Sequence, residues 1–88
     1  MNILIADDNE TDLKLLRAIL EGEGHDVCCA LDGVEALESL ERQKLDAIIS
    51  DILMPRMDGY RLCFEIRQRE EFRTLPFIVY TSNLHVSH

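Results

Sequence analysis

Short continuous apolar runs alternate along this chain with longer stretches in which apolar residues recur every three or four positions, the signatures of buried strands and amphipathic helices. Asn2-Ile3-Leu4-Ile5-Ala6 is a run of the first kind and ends abruptly in Asp7-Asp8-Asn9. From Thr11 to Glu21 the spacing changes. Leu13, Leu16, Ile19 and Leu20 fall on one helical stripe, Asn9 is a capping residue, and Gly22 and Gly24 supply the stop. His25 to Leu31 predicts a second strand, short and carrying Asp26 near its start, which suits a sheet edge; Asp32-Gly33 then turns the chain. Val34, Leu37 and Leu40, set among Glu35, Glu38, Glu41 and Arg42, predict a second amphipathic helix to about Gln43. Leu45-Asp46-Ala47-Ile48-Ile49-Ser50-Asp51 predicts a third strand, closed by the turn chemistry of Pro55 and Asp58-Gly59. Asp58 caps a third helix that holds Tyr60, Leu62, Cys63 and Ile66 and ends between Arg69 and Phe72. After a loop with Thr74 and Pro76, Phe77-Ile78-Val79-Tyr80 predicts a fourth strand ending in Thr81-Ser82-Asn83, and Leu84 to His88 carry no readable pattern.

Strands alternating with helices imply a parallel sheet covered on both faces, because crossovers between parallel strands are right-handed. Strand order 2-1-3-4 distributes the helices over the two faces and sets strand one beside strand three. The carboxyl ends of those strands then bring Asp7, Asp8 and Asp51 together, with Thr81 one strand further along. A carboxylate is costly inside an apolar core, but at a strand's carboxyl end it faces the crevice where open α/β sheets hold their ligands.

Size and composition narrow the reading. The 88 residues make one small domain, 47% hydrophobic and 30% charged, the balance of an ordinary globular protein. No apolar run is long enough to cross a bilayer and no signal-peptide pattern follows Met1, so the cytoplasm is the expected location. A net charge of −8 argues against nucleic acid or an anionic membrane as partner and favours divalent cations and basic surfaces. Cys28, Cys29 and Cys63 lack metal-ligand spacing and read as reduced structural thiols. His85 and His88 stand three apart in the tail and read as solvent-exposed rather than zinc-bound.

Carboxylates crowded into one crevice need a cation or protons to offset their repulsion. Magnesium prefers oxygen ligands and commonly takes one or two carboxylates, several waters and a phosphate. Asp8 and Asp51 suit direct coordination, Asp7 direct or water-mediated coordination, and a backbone carbonyl just beyond Asp51 completes the set. A carboxylate beside such a cation can accept a phosphoryl group as an aspartyl phosphate, and the Thr81 hydroxyl is placed to donate to it.

On these residues the sequence resembles the receiver domain of two-component response regulators. Ile3-Leu4-Ile5-Ala6-Asp7-Asp8 is similar to that family's first strand and acidic pair. Asp51-Ile52-Leu53-Met54-Pro55-Arg56-Met57-Asp58-Gly59 is similar to its phosphoacceptor segment nearly position for position, and Thr81 falls on its switch hydroxyl. The resemblance implies a flavodoxin-like (CheY-like) doubly wound fold and a phosphorelay function: Asp51 as phosphoacceptor, Asp7, Asp8, Asp51 and the Leu53 carbonyl around Mg2+, and a histidine kinase or phosphotransfer protein as partner. No turnover enzyme is implied.

The departures carry expectations too. Members of the family continue past the switch hydroxyl through a fifth strand bearing a lysine and a final helix, whereas this sequence stops at His88 and its lysines, Lys14 and Lys44, belong to the first two helices and their flanks. A single receiver domain over residues 1–88, truncated after strand four, is therefore expected, with weakened phosphorylation and a homodimer formed through the exposed edge of strand four. Ser82 replaces the usual small residue after the switch hydroxyl. The alternative is a degenerate receiver acting by dimerisation or docking without phosphotransfer. A related aspartyl-phosphate hydrolase ranks lower, since the position where such enzymes carry a second carboxylate is Leu53.

Overall fold

Three polar side chains start the three helices. In the computed structural model, which describes residues 1–81, Asn9 accepts a hydrogen bond from the backbone N–H of Asp12 (3.1 Å), Asp32 from that of Glu35 (2.9 Å) and Asp58 from that of Arg61 (2.7 Å). Each satisfies a donor that the first helical turn leaves without a partner. The elements follow as β1 (Asn2–Ala6), α1 (Glu10–Gly22), β2 (Asp26–Ala30), α2 (Gly33–Arg42), β3 (Ala47–Asp51), α3 (Gly59–Arg67), a single 3-10 turn (Glu70–Phe72) and β4 (Phe77–Tyr80). Ser82, Asn83, His85 and His88 lie outside the described residues.

The sheet is parallel throughout, in the order β2-β1-β3-β4, with β2 at an edge. On one face Leu4, Ala6, Ala30 and Ile48 meet Ala36 and Leu40 of α2 and Leu62 and Ile66 of α3 in the main core. The alternate residues of the strands face the other way, where α1 packs on β1 and β2 through Leu13.

Two element boundaries and the coverage of one helix face differ from the sequence expectation for tertiary reasons. β3 begins at Ala47 rather than Leu45, because Asp46 ties the chain to the start of β1: its N–H donates to the Asn2 carbonyl (2.7 Å) and its carboxylate accepts the Asn2 N–H (2.7 Å). α3 ends at Arg67, where the Gln68 N–H is shared between the Phe64 and Glu65 carbonyls, and Glu70 to Phe72 form a separate turn. The stripe on α1 is only partly covered: Leu13 is buried, but Ile19 is 54% exposed, since α1 lies over the β1–β2 side of its face. Ile78 of β4, 57% exposed, lies on the same face beyond the reach of α1.

Gly59 locks α3 against the end of β3. A Cβ there would stand 2.3 Å from the Asp51 carbonyl oxygen and 3.1 Å from the Ile52 Cα, and backbone cannot step aside as a flexible side chain can. Gly59→Ala is therefore expected to lose about 3 kcal/mol of stability by overpacking, read as a lowered urea midpoint with unchanged slope.

Candidate functional site

The acidic residues converge because parallel strands end together. Asp7 directly follows β1 and continues its pairing, donating its N–H to the Ala30 carbonyl (3.0 Å), while Asp51 is the last residue of the adjacent β3. Asp7 and Asp51 are fully buried; Asp8, one residue on, is exposed. One carboxylate oxygen from each of the three lies within 4.8 Å of the others, so the predicted cluster exists as a single constellation. The donor set is all oxygen and all carboxylate, which fits a hard cation such as magnesium better than a thiol- or imidazole-seeking metal.

Both carboxylate oxygens of Asp7 accept a hydrogen bond. Its Oδ1 accepts the Asn9 N–H (2.8 Å), and its Oδ2 accepts the phenol hydroxyl of Tyr80 in a short contact. Burial pushes the Asp7 carboxyl above the usual carboxylate range; the hydrogen bonds from Tyr80 and Asn9 pull it back, and the nearby charges of Asp51 and Asp12 push it up again. The Tyr80 phenol is pushed well above its ordinary value, first by burial and then by its bond to Asp7, so it remains the proton donor of the pair. Tyr80 is the site residue that the sequence reading missed. The signal was strand parity, for Tyr80 pairs in register with Asp51 and ends β4 beside the acidic cluster.

Thr81 is the first residue past β4, exposed, at the same end of the sheet. Leu53 lies two residues beyond β3 with 56% of its surface exposed. The two carbonyls before it are engaged: that of Asp51 accepts the Ser50 hydroxyl (2.8 Å) and that of Ile52 accepts the Gly59 N–H (2.8 Å). Lys44 lies at the opposite end of the strands, its carbonyl accepting from the Asn2 side chain (3.3 Å), and Lys14 lines a cleft of about 280 Å³ between α1 and β2 that does not touch the acidic cluster.

The loop carrying Leu53 is held from outside. Arg56 adopts a left-handed backbone (φ 65°) and donates from Nε to Asp32 Oδ2 (2.7 Å), while Gly33 allows Met57 close approach, with a virtual Cβ 2.7 Å from the Met57 Cβ. A left-handed arginine costs roughly 1–2 kcal/mol; the ion pair helps to hold it there. The Arg56 guanidinium holds the Asp32 carboxyl below the usual carboxylate range, against the opposing effect of burial and with help from the Glu35 N–H.

Comparison with known proteins decides the family. The sequence pattern described as "Response regulator receiver domain" matches residues 3–88. The chain belongs to the response regulator receiver domain family. It is 40% identical over 87 residues, 99% of its length, to the response regulator MprA of Mycobacterium leprae, and 43% identical over 68 residues, 77% of its length, to the alkaline phosphatase synthesis transcriptional regulatory protein PhoP of Bacillus subtilis. It spans 37% and 28% of those two proteins. Among solved structures it is similar to the receiver domain of the sensor histidine kinase PA1611 of Pseudomonas aeruginosa, which was crystallised with magnesium in its active-site cleft (39% identity, TM-score 0.86, covering 93% of this chain and 67% of that one). The chain therefore shares its fold with that receiver domain over most of its length.

Because the Asp32 carboxyl titrates lower when folded than when unfolded, its contribution to stability is complete above about pH 4, the unfolded value, and is lost as pH falls through the lower folded value. Asp32→Asn keeps a side-chain cap for α2 and removes only the charge. It is expected to lower stability at pH 7 and to flatten the acid limb, as read from urea unfolding at a series of pH values.

Proposed function

We propose that the chain is the phosphoacceptor receiver module of a two-component phosphorelay, with Asp51 as the residue that takes the phosphoryl group. The convergence of Asp7, Asp8 and Asp51 on one point is the observation that carries this reading. Asp7, Asp8 and Asp51 would hold Mg2+, together with the Leu53 carbonyl that the resemblance to receiver domains implies. When bound, the cation offsets the charge of the carboxylates and of the incoming phosphoryl oxygens.

Asp51 acts as the nucleophile. One of its carboxylate oxygens forms a bond to phosphorus as the P–N bond of a phosphohistidine donor breaks, the electron pair returning to the imidazole nitrogen, which takes up a proton. Burial of Asp51 at the strand end fixes its direction and excludes water from the back of the crevice. In this reading the Thr81 hydroxyl, just past β4, donates to an oxygen of the new phosphoryl group, which would couple phosphorylation to that segment. The phosphoryl donor is a histidine kinase or phosphotransfer protein, and the setting is cytoplasmic; among the described residues no helix is long and apolar enough to cross a membrane. Residues 1–88 act in this reading as a single signalling module without turnover of a substrate.

Calorimetry with magnesium and beryllofluoride, an acyl-phosphate mimic, tests the assignment. Saturable binding by the parent chain and its loss in Asp51→Asn are expected. Binding of equal strength in Asp51→Asn, or none in either protein, would return the chain to the reading of a docking module without phosphotransfer.

The same reading includes self-association through β4. Among the described residues β4 pairs on one side only, with β3, and presents Ile78 to solvent, the kind of strand edge that templates pairing with a second copy. Sedimentation is expected to show a monomer–dimer equilibrium shifted to monomer by Ile78→Lys; a strictly monomeric profile at high concentration would count against it.

A further inference from the structure

Resting on the cation site proposed above, we infer that Tyr80 gates it: the phenol hydroxyl holds one carboxylate oxygen of Asp7 and must turn away when a divalent cation claims that carboxylate. Both oxygens of Asp7 already accept a hydrogen bond, Oδ1 from the Asn9 N–H and Oδ2 from Tyr80. The two donors differ in freedom. Asn9 is the cap of α1 and its N–H is fixed by the helix start, whereas the phenol hangs from rotatable bonds. A cation approaching Oδ2 meets the phenol proton, a positive dipole end aimed at the same lone pairs. Metal and phenol therefore compete for one oxygen.

The backbone permits the exchange. The Tyr80 carbonyl accepts the Ile52 N–H (2.9 Å) and Tyr80 pairs in register with Asp51, so the side chain can rotate without unzipping β4 from β3. There is also room, for Tyr80 is only half-buried and Ile78, on the same face, is 57% exposed. The arrangement explains how a fully buried carboxylate beside a second one is satisfied: among the described residues no buried side-chain polar atom lacks a hydrogen-bond partner. Tyr80 is thus a positioning residue that sets the affinity of the crevice for its cation, acting through Asp7.

The test is a magnesium titration of the full chain and of Tyr80→Phe, followed by calorimetry. Tyrosine emission is followed in parallel in a Tyr60→Phe background, Tyr60 being exposed on α3. Removing a hydrogen bond to a charged acceptor is expected to tighten magnesium binding about tenfold in Tyr80→Phe. Emission from Tyr80, quenched by its carboxylate partner, is expected to rise along the calorimetric isotherm. Binding confined to Tyr80→Phe would support the gate in its strongest form. Equal or weaker binding by Tyr80→Phe, or flat emission through a saturating titration, overturns the gate while leaving the cation site standing. Absence of saturable binding from both proteins, or binding that survives in Asp51→Asn, instead overturns the site and the gate with it.

Discussion

Two buried carboxylates at the ends of neighbouring parallel strands are the constraint on which the rest of this molecule depends. Asp7 and Asp51 both lie out of solvent with carboxylate oxygens within 4.8 Å of each other. At an effective dielectric constant of 20, two unit charges at that separation repel by on the order of 3 kcal/mol, a sizeable share of the stability of a small domain. The sheet has to supply that energy. It does so through the main core, where Leu62 and Ile66 of α3 and Leu4 and Ile48 of the central strands are wholly buried. The hydrogen bonds that Asn9 and Tyr80 donate to Asp7 offset part of the cost locally. A charge arrangement this unfavourable persists at a strand end where a hard cation can reach it, and would have no stable place in the middle of the sheet.

Rigidity around the carboxylates comes from contacts that leave no alternative packing. Gly59 seats α3 on the Asp51 carbonyl, and its N–H secures the Ile52 carbonyl, so the first residues past β3 are fixed from both directions. Further out, Arg56 in its left-handed conformation reaches Asp32 at the start of α2, and Gly33 lets Met57 lie against that helix. The loop after β3 is thus tied to two helices. Leu53, between these anchor points, is itself exposed.

Much of this was legible in the sequence because the relevant signals are local. The apolar runs at Ile3 to Ala6 and Ala47 to Ile49, the caps Asn9 and Asp58, and the acidic residues closing two strands are all read from neighbours along the chain. Given alternating strands and helices, handedness then left little freedom in strand order, and the meeting of Asp7, Asp8 and Asp51 followed from it. What escaped depends on tertiary partners. The start of β3 shifted because Asp46 found Asn2, forty-four positions away, and Asp32 proved a helix cap and ion-pair partner as well as a turn residue. Ile19 matched the helical stripe yet stayed exposed, since periodicity tells which residues share a face but not how much of that face a sheet will cover.

Tyr80 shows the same limit at the site itself. A tyrosine in Phe77-Ile78-Val79-Tyr80 reads as one more apolar strand residue, and its burial value as a side chain is ordinary for a strand end. Its significance lies in the hydroxyl, whose partner sits two strands away, across β3, and is visible only once register sets Tyr80 opposite Asp51. A phenol whose pKa is raised this far stays protonated, so it can only donate, and a donor is what a crowded carboxylate can use when no cation is at hand. The same proton that relieves the crevice is therefore the one a cation must displace, and a strand-end side chain bound to the backbone one residue before Thr81 is well placed to make that displacement felt along β4.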